Sequence, residues 1–206
     1  MAATSFELEE RGEISILRLR SDDGTNRLTR ACVLSLTDAV ERLRRVKHPV
    51  VFAGTDKFFS AGAELEEISA LDGPSAFEFS KMGQALMNAI DRFPAPVYAA
   101  ISGYCLGGGL DLALACHRRI ASPHAILGHR GAALGLITGW GGTQRLPRLV
   151  GKGAALAMFV AAEKVTAGQA LQIGLVDAIA DDPVAEAVRY IKQPATGDDR
   201  RFTEKR

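Results

Sequence analysis

Three consecutive glycines, Gly107 to Gly109, form the first candidate for a reactive loop in this sequence. They stand between an apolar run that begins at Pro96, typical of a buried strand, and a segment, Leu110 to Cys116, typical of a buried helix. The first amide N–H groups of a helix have no partner inside it, and the helix dipole places partial positive charge there. The amide of Gly108 is therefore predicted to face an anion, unless the glycines only form a tightly packed turn.

A second loop of small residues, Ala61-Gly62-Ala63, follows the apolar run Pro49 to Ala53. It leads into a short predicted helix over Ala63 to Ser69. If the two loops face each other, the N–H groups of Ala63 and Gly108 can bind one oxygen from two sides. Such a pair of donors is an oxyanion hole, which stabilises negative charge that develops on a carbonyl oxygen.

With both loops present, the chain resembles the crotonase superfamily, the enoyl-CoA hydratase/isomerase family, from about Phe6 to about Ile191. The resemblance rests on four motifs in the family's order: Ser60-Ala61-Gly62-Ala63-Glu64, Gly103 to Gly109, Gly139 to Leu146, and Gly174-Leu175-Val176-Asp177. It implies an α/β fold, a spiral of repeated strand–strand–helix units. It also implies an enzyme that acts on acyl-CoA thioesters, with the thioester carbonyl polarised by the amides of Ala63 and Gly108.

The resemblance further implies which residues contact the substrate. The residues expected at the acyl site are Ala61, Gly62, Glu64, Leu65, Tyr104, Gly107 and Trp140. Tyr104 and Trp140 also suit packing at the two glycine-rich corners. Arg27 and Lys57 stand where related chains approach the adenine and phosphates of coenzyme A, although both also suit a solvated surface. No cofactor or metal is expected, because the coenzyme A thioester is the substrate.

Proton transfer is the second requirement of this chemistry, and the resemblance places two acids near the thioester. The first acid position is Asp111, three residues after Gly108, where a carboxylate can also simply favour the helix N-terminus. The second position falls on Gly131, so the second acid is missing. His129, two residues earlier and next to Arg130, is the side chain of that loop with a near-neutral reference pKa, and we expect either an exposed histidine at a strand end or a second catalytic group.

Composition limits the possible partners. The chain has 206 residues, enough for one domain with a real core, and a formal net charge of +1, which argues against nucleic acid or an anionic membrane as a partner. Nothing in the sequence has the pattern of a signal peptide or of a membrane span, so we expect a cytoplasmic protein. The odd number of cysteines, Cys32, Cys105 and Cys116, indicates buried thiols.

The order of predicted elements repeats. A hairpin, a helix and a strand are followed by a long helix to Phe93, a strand, the glycine turn, a helix and two short strands at Arg118 to Ala121 and Ala125 to Leu127. Helices dominate from Gly139 onward, with a strand at Val176 to Ala180. We expect one spiral domain over residues 1–192 and a polar tail over 193–206, without the family's usual C-terminal helical segment. The resemblance implies a homotrimer or hexamer, and the missing segment would leave apolar surface exposed, which also favours association.

Two functions of different classes follow. The first is an enzyme of the hydratase/isomerase type that stabilises a thioester enolate, with Asp111 carrying the proton; two-acid hydration is doubtful because of Gly131. The second is a non-catalytic acyl-CoA-binding homologue or accessory subunit. Gly108→Ala is expected to separate an oxyanion site from a packing turn. If Gly108 faces the thioester with a negative φ, the variant loses at most ~1 kcal/mol of stability but binds acyl-CoA weakly, whereas a packing turn loses stability and the folded variant binds normally.

Overall fold

A computed structural model describes residues 4–193. The strands in this range are β1 (Thr4–Arg11), β2 (Ile14–Ser21), β3 (Arg27–Leu28), β4 (Val50–Ala53), β5 (Phe58–Ser60), β6 (Gly62–Ala63), β7 (Val97–Ile101), β8 (Tyr104–Leu106), β9 (Arg118–Ala121), β10 (Ile126–Gly128), β11 (Lys164–Thr166) and β12 (Ala178–Ile179). The α-helices are α1 (Arg30–Val46), α2 (Leu65–Ser69), α3 (Gly73–Asp91), α4 (Gly108–Ala115), α5 (Gly142–Val150), α6 (Lys152–Val160), α7 (Ala167–Gln172) and α8 (Pro183–Lys192). A 3₁₀ helix spans Gly131–Leu134.

Each repeat of the fold contributes one strand to each of two sheets. The strands β4, β7 and β9 lie parallel to one another in a six-stranded sheet of order β1-β2-β4-β7-β9-β12. The strands that follow them, β5, β8 and β10, lie parallel in a four-stranded sheet of order β11-β10-β8-β5. Helices α3 and α4 come after the first two strand pairs. The predicted strand–strand–helix repeat is confirmed.

The central strands of the six-stranded sheet, β4 and β7, are buried on both faces, which explains why they are continuous apolar runs. Successive side chains of a strand point to opposite faces. In β4, Phe52 packs into the main core with the helices α1, α3 and α4, whereas Val51 packs into a smaller core with Ala187 of α8. The thiols of Cys32, Cys105 and Cys116 are free and buried, as predicted.

Side-chain caps fix where most of the long helices begin. Thr29 accepts a hydrogen bond from the Cys32 amide at the start of α1, and Asp72 forms a capping box with Ser75 at the start of α3. Helix α4 differs, because its N-cap residue is Gly107 and no side chain caps it. Its first amides are therefore available to a ligand.

Several predicted boundaries are wrong, and the differences come from pairing between distant segments. The helix predicted to begin at Ala63 begins at Leu65, because Gly62–Ala63 pairs in parallel with β3. The strand predicted over Val176 to Ala180 is shorter, and the short strands β3, β5, β6, β8 and β11 and the 3₁₀ helix were not predicted. Most of the predicted tail, residues 194–206, lies outside the described residues. Among residues 4–193, no helix combines the length and apolar character needed to cross a membrane.

Candidate active site

The two glycine loops lie against each other. A methyl group built on Gly108 would lie 3.2 Å from the Ala63 nitrogen, and one built on Gly62 would lie 3.1 Å from the Gly108 nitrogen. Gly62 has φ +100° and Gly107 has φ +52°, both in the region where a side chain is strained. The backbones of the two loops therefore approach each other closely at the Ala63 and Gly108 nitrogens.

Two buried polar residues hold the first loop. The Ser60 hydroxyl donates to the Asn26 carbonyl at 2.7 Å and accepts from the Gly62 amide at 3.1 Å. Asn26, itself at φ +52°, donates from its side chain to the Phe58 carbonyl at 2.9 Å. These bonds fix the position of the peptide between Ala61 and Gly62, next to the peptide that carries the Ala63 amide, although the sequence assigned neither Asn26 nor Ser60 a role.

The second loop is held by β10 and by the start of α4. The Gly107 amide donates to the Gly128 carbonyl at 2.9 Å, which anchors the loop to the four-stranded sheet. Gly108 is the first residue of α4, so its N–H lies at the positive end of the helix dipole without an intrahelical acceptor. The geometry can bind a negatively charged oxygen.

Asp111 lies in the first turn of α4 with 1% of its surface exposed. The Thr138 hydroxyl donates to Oδ2 of this carboxyl. Burial raises the pKa of Asp111 to about 7, although the Thr138 hydroxyl, the charge of Arg145 and the Gly142 amide each act in the opposite direction. A carboxyl with that pKa can both give and take a proton near neutral pH.

His129 is buried, and the expectation of an exposed histidine at a strand end is wrong. It follows β10 directly, and the loop after it folds back so that its ring lies 5.0 Å from the ring of Phe159 on α6. Its Nε2 atom lies 3.5 Å from Asp111 Oδ1. Burial lowers the pKa of His129 to about 4, so the imidazole is neutral at pH 7.

Gly142, the first residue of α5, makes room for this pair. A methyl group on Gly142 would collide with Asp111 Oδ1 and would lie 3.0 Å from His129 Nε2. Any larger residue here would displace both side chains. The sequence offered no direct signal for Gly142 or for Thr138, because both contacts join segments that are distant along the chain.

These groups face one cavity of about 390 Å³. Apolar side chains from α2, from α3 and from the 131–138 segment supply most of its walls. The lining residues are Arg27, Ala61, Gly62, Ala63, Leu65, Ile68, Leu71, Ala76, Phe79, Ser80, Leu106, Gly107, Gly108, Asp111, His129, Arg130, Gly131, Leu134, Leu136, Ile137, Thr138, Gly139 and Trp140. A cavity with an apolar body and a few convergent polar groups is typical of a small-molecule site.

Trp140 closes one side of the cavity. Its indole Nε1 donates to the Phe79 carbonyl at 3.2 Å, and its ring lies 5.3 Å from the ring of Phe79. The same ring lies against Gly108, so Trp140 has both of the expected positions, at a packed corner and along the cavity.

Three of the expected site residues do not line the cavity. The ring of Tyr104 packs at 5.2 Å from the ring of Phe58, and Lys57 is exposed. Glu64 is buried, accepts from the Glu66 amide at the start of α2, and lies 4.0 Å from the Arg27 guanidinium. The other expected residues, Arg27, Ala61, Gly62, Ala63, Leu65, Gly107, Gly108, Asp111, His129 and Trp140, all border it.

Comparison with known proteins points to the same family as the four sequence motifs. The family model described as enoyl-CoA hydratase/isomerase matches residues 9–196. The chain is 36% identical over 182 residues to the crotonyl-CoA hydratase of Syntrophomonas wolfei, covering 87% of this chain and 70% of that protein. It is 43% identical over 157 residues to a probable enoyl-CoA hydratase of Bacillus subtilis, covering 76% of this chain and 59% of the relative, so it spans well under two thirds of that relative.

Solved structures share the fold. The enoyl-CoA hydratase from Thermoplasma volcanium matches with a TM-score of 0.86 at 32% identity, covering 92% of this chain and 78% of that one. The predicted crotonase-like α/β spiral is confirmed. The chain belongs to the enoyl-CoA hydratase/isomerase family.

Proposed function

We propose that this protein is an acyl-CoA enzyme of the hydratase/isomerase type. It binds the thioester carbonyl between the amides of Ala63 and Gly108 and stabilises the enolate that forms there, while Asp111 transfers a proton at the neighbouring carbon. The observation that carries this proposal is the convergence of these three groups on one cavity.

The electrostatics of the loops favour the enolate over the neutral thioester. Two N–H donors and the dipole of α4 act on a single oxygen, and they gain most when that oxygen carries negative charge. Removing one such donor from an oxyanion hole typically slows a reaction by about 10²–10³-fold. A ligand without the thioester carbonyl would gain none of this stabilisation.

The walls of the cavity fit the remainder of the substrate. Leu65, Ile68 and Leu71 provide apolar surface for an acyl chain. Arg27 borders the same cavity and forms an ion pair with Asp23 at 2.7 Å. Its side chain is still 38% exposed, so the guanidinium can also bind a phosphate of coenzyme A. Lys57, exposed and outside the cavity lining, can contact coenzyme A only beyond the acyl site.

The competing proposal is a non-catalytic acyl-CoA-binding homologue, and the observation in its favour is Gly131. A methyl group on Gly131 would lie 2.7 Å from the Leu136 carbonyl oxygen, so this conformation of the loop excludes a side chain where the resemblance expects the second acid. The cavity itself is the same in both proposals, and only turnover separates them.

The experiment pairs binding with turnover. Crotonyl-CoA and longer enoyl and dienoyl thioesters are titrated by calorimetry, and the same preparation is assayed for loss of the conjugated double bond and for deuterium uptake at the α-carbon of butyryl-CoA in D₂O. Proton exchange by the wild type that is lost in Asp111→Asn, with binding retained, supports the enzyme. Binding without exchange or turnover in the wild type supports the non-catalytic homologue instead.

Self-association is a separate part of the proposal. Large apolar side chains are exposed on the 131–138 segment and on α6, among them Ile137, Leu156 and Val160. Burial of such a patch favours association, and we propose a homotrimer or a hexamer. A monomeric mass by light scattering at micromolar concentration would contradict this part without touching the active site.

A further inference from the structure

The side chains of Asp111 and His129 lie side by side at the wall of the cavity, and each has an atom that can bind or release a proton. Asp111 Oδ1 and His129 Nε2 lie 3.5 Å apart, and within residues 4–193 neither atom has a hydrogen-bond partner. Both side chains are almost fully buried, at 1% and 3% exposure. A buried polar atom without a partner costs free energy, so two such atoms side by side at the wall of the cavity favour the binding of a small polar ligand beside them.

The surroundings of the pair are arranged for one small polar ligand. Thr138 occupies only Oδ2 of Asp111, which leaves Oδ1 directed at the imidazole. Gly142, which has no side chain, lies directly against both atoms on one side, and the ring of Phe159 covers the imidazole on the side of α6. A water molecule that enters from the cavity meets Oδ1 and Nε2 together.

We propose that His129 is the second proton-transfer residue of this site and that, with Asp111, it adds water across the double bond of an enoyl-CoA. His129 takes the place of the acid that is absent at Gly131. This inference rests on the function proposed above, because it needs the thioester carbonyl at Ala63 and Gly108. It makes hydration a reaction that this chain can perform with one carboxyl group.

The proposed steps balance within the site. His129 Nε2 takes a proton from the water as the water oxygen forms a bond to the β-carbon. The π electrons of the double bond move toward the thioester, and the negative charge rests on the oxygen held by the two amides. The protonated Asp111 Oδ1 then gives its proton to the α-carbon as the carbonyl re-forms. His129 returns its proton to Asp111 across the 3.5 Å gap, so the sum is one water added to one double bond.

The charge states of the free site match these roles. A base must begin neutral and an acid must begin protonated. Burial keeps the imidazole neutral at pH 7 and raises the pKa of Asp111 to about 7. The Thr138 hydroxyl, the charge of Arg145 from α5 and the Gly142 amide each lower the pKa of Asp111. Asp111 in turn acts on the thiol of Cys105 from β8. The thiol stays neutral because burial raises its pKa well above its ordinary value.

The test compares hydration with α-proton exchange in His129→Gln, which keeps a polar side chain of similar length but cannot take a proton. Hydration of crotonyl-CoA is expected to fall by about 10²-fold or more, whereas α-proton exchange into butyryl-CoA, which needs only Asp111 and the amides, falls by far less. His124→Gln, the same substitution at an exposed histidine outside the cavity, is the matched control and keeps both rates.

The outcomes are distinguishable. Unchanged hydration by a folded His129→Gln, or α-proton exchange without hydration in the wild type, overturns the role of His129 and leaves the proposed function standing. Absence of both reactions in the wild type overturns the proposed function itself. Thermal unfolding and crotonyl-CoA binding report whether the variant folds, and His129→Asn replaces it if it does not.

The pH dependence of the wild type gives an answer that needs no variant. Because the proposed base is neutral His129 and the proposed acid is protonated Asp111, kcat/KM for hydration is expected to be level between pH about 4 and about 7. It is expected to fall as the pH drops through about 4 and as the pH rises through about 7. Asp111 acting alone as a base would give the opposite slope through the same range. A value of kcat/KM that rises as the pH passes through about 7 therefore overturns the inference.

Discussion

The indole ring of Trp140 lies against Gly108: a methyl group on Gly108 would come within 2.6 Å of the ring at Cζ3. The ring cannot move aside easily, because Trp140 is only 3% exposed and its Nε1 donates a hydrogen bond to the Phe79 carbonyl. Trp140 therefore leaves no room for a side chain on the first residue of α4, next to an amide proposed to bind the thioester oxygen.

Gly108→Ala is therefore expected to lower the free energy of unfolding by about 1–3 kcal/mol, the cost of inserting a methyl group into a well-packed place. This corrects the smaller loss expected from sequence alone, which could not include Trp140. Denaturant unfolding measures the effect. Gly153→Ala in α6 is the control, because a methyl group there meets nothing within 4 Å, and it is expected to be neutral or slightly stabilising. Equal effects of the two substitutions would contradict the packing described at Gly108.

Ser60→Ala is expected to weaken the site without touching the substrate. The change leaves the Asn26 carbonyl and the Gly62 amide without their shared hydroxyl, at a cost of about 1–3 kcal/mol. The Ala63 amide then loses its fixed position, and kcat/KM is expected to fall by up to about 10²-fold. Steady-state kinetics measures the loss, with the exposed Ser69→Ala as control. Wild-type kinetics in a folded Ser60→Ala would show that this bond does not position the amide.

The sequence predicted the repeat, the two loops and Asp111, because each depends on local pattern. Continuous apolar strands, glycine turns and a carboxyl in the first turn of a helix are all visible within a few residues. His129 was uncertain for the opposite reason. Its burial depends on the ring of Phe159, thirty positions further along the chain, and on the turn that brings Thr138 to Asp111. The role of Gly142 is visible only in the structure, because it depends on the side chains of Asp111 and His129 that pack against it.

The pH dependence of stability follows from the buried pair. The pKa of Asp111 is raised in the folded protein, so its contribution is fully present below pH about 4 and is lost as the pH rises through about 7. The stability of Asp111→Asn relative to the wild type is therefore expected to increase between pH 4 and pH 7 (about the two pKa values). Urea unfolding at several pH values measures the difference, and a constant difference would show that the carboxyl is not held in its acid form.

His129 should give the opposite trend. Burial lowers its pKa to about 4, so its contribution is present above the ordinary histidine pKa of 6.5 and is lost as the pH falls through about 4. His129→Gln is expected to become more stable relative to the wild type as the pH falls over that range. The same urea series tests this, and the exposed His124→Gln, which is expected to show no such trend, is the control. A trend of the same sign for Asp111→Asn and His129→Gln would contradict the charge states assigned to the pair.

The most direct test of the central claim is the ionisation of a bound β-ketoacyl-CoA. Acetoacetyl-CoA forms an enolate that absorbs in the ultraviolet, and its pH titration is compared free in solution, bound to the wild type, and bound to Asp111→Asn. If the amides of Ala63 and Gly108 hold an enolate oxygen, the bound ligand ionises at least about one pH unit below the free ligand, equivalent to about 1.4 kcal/mol of preference for the enolate. Ionisation of the bound ligand at the same pH as the free ligand, or at a higher pH, would contradict the account.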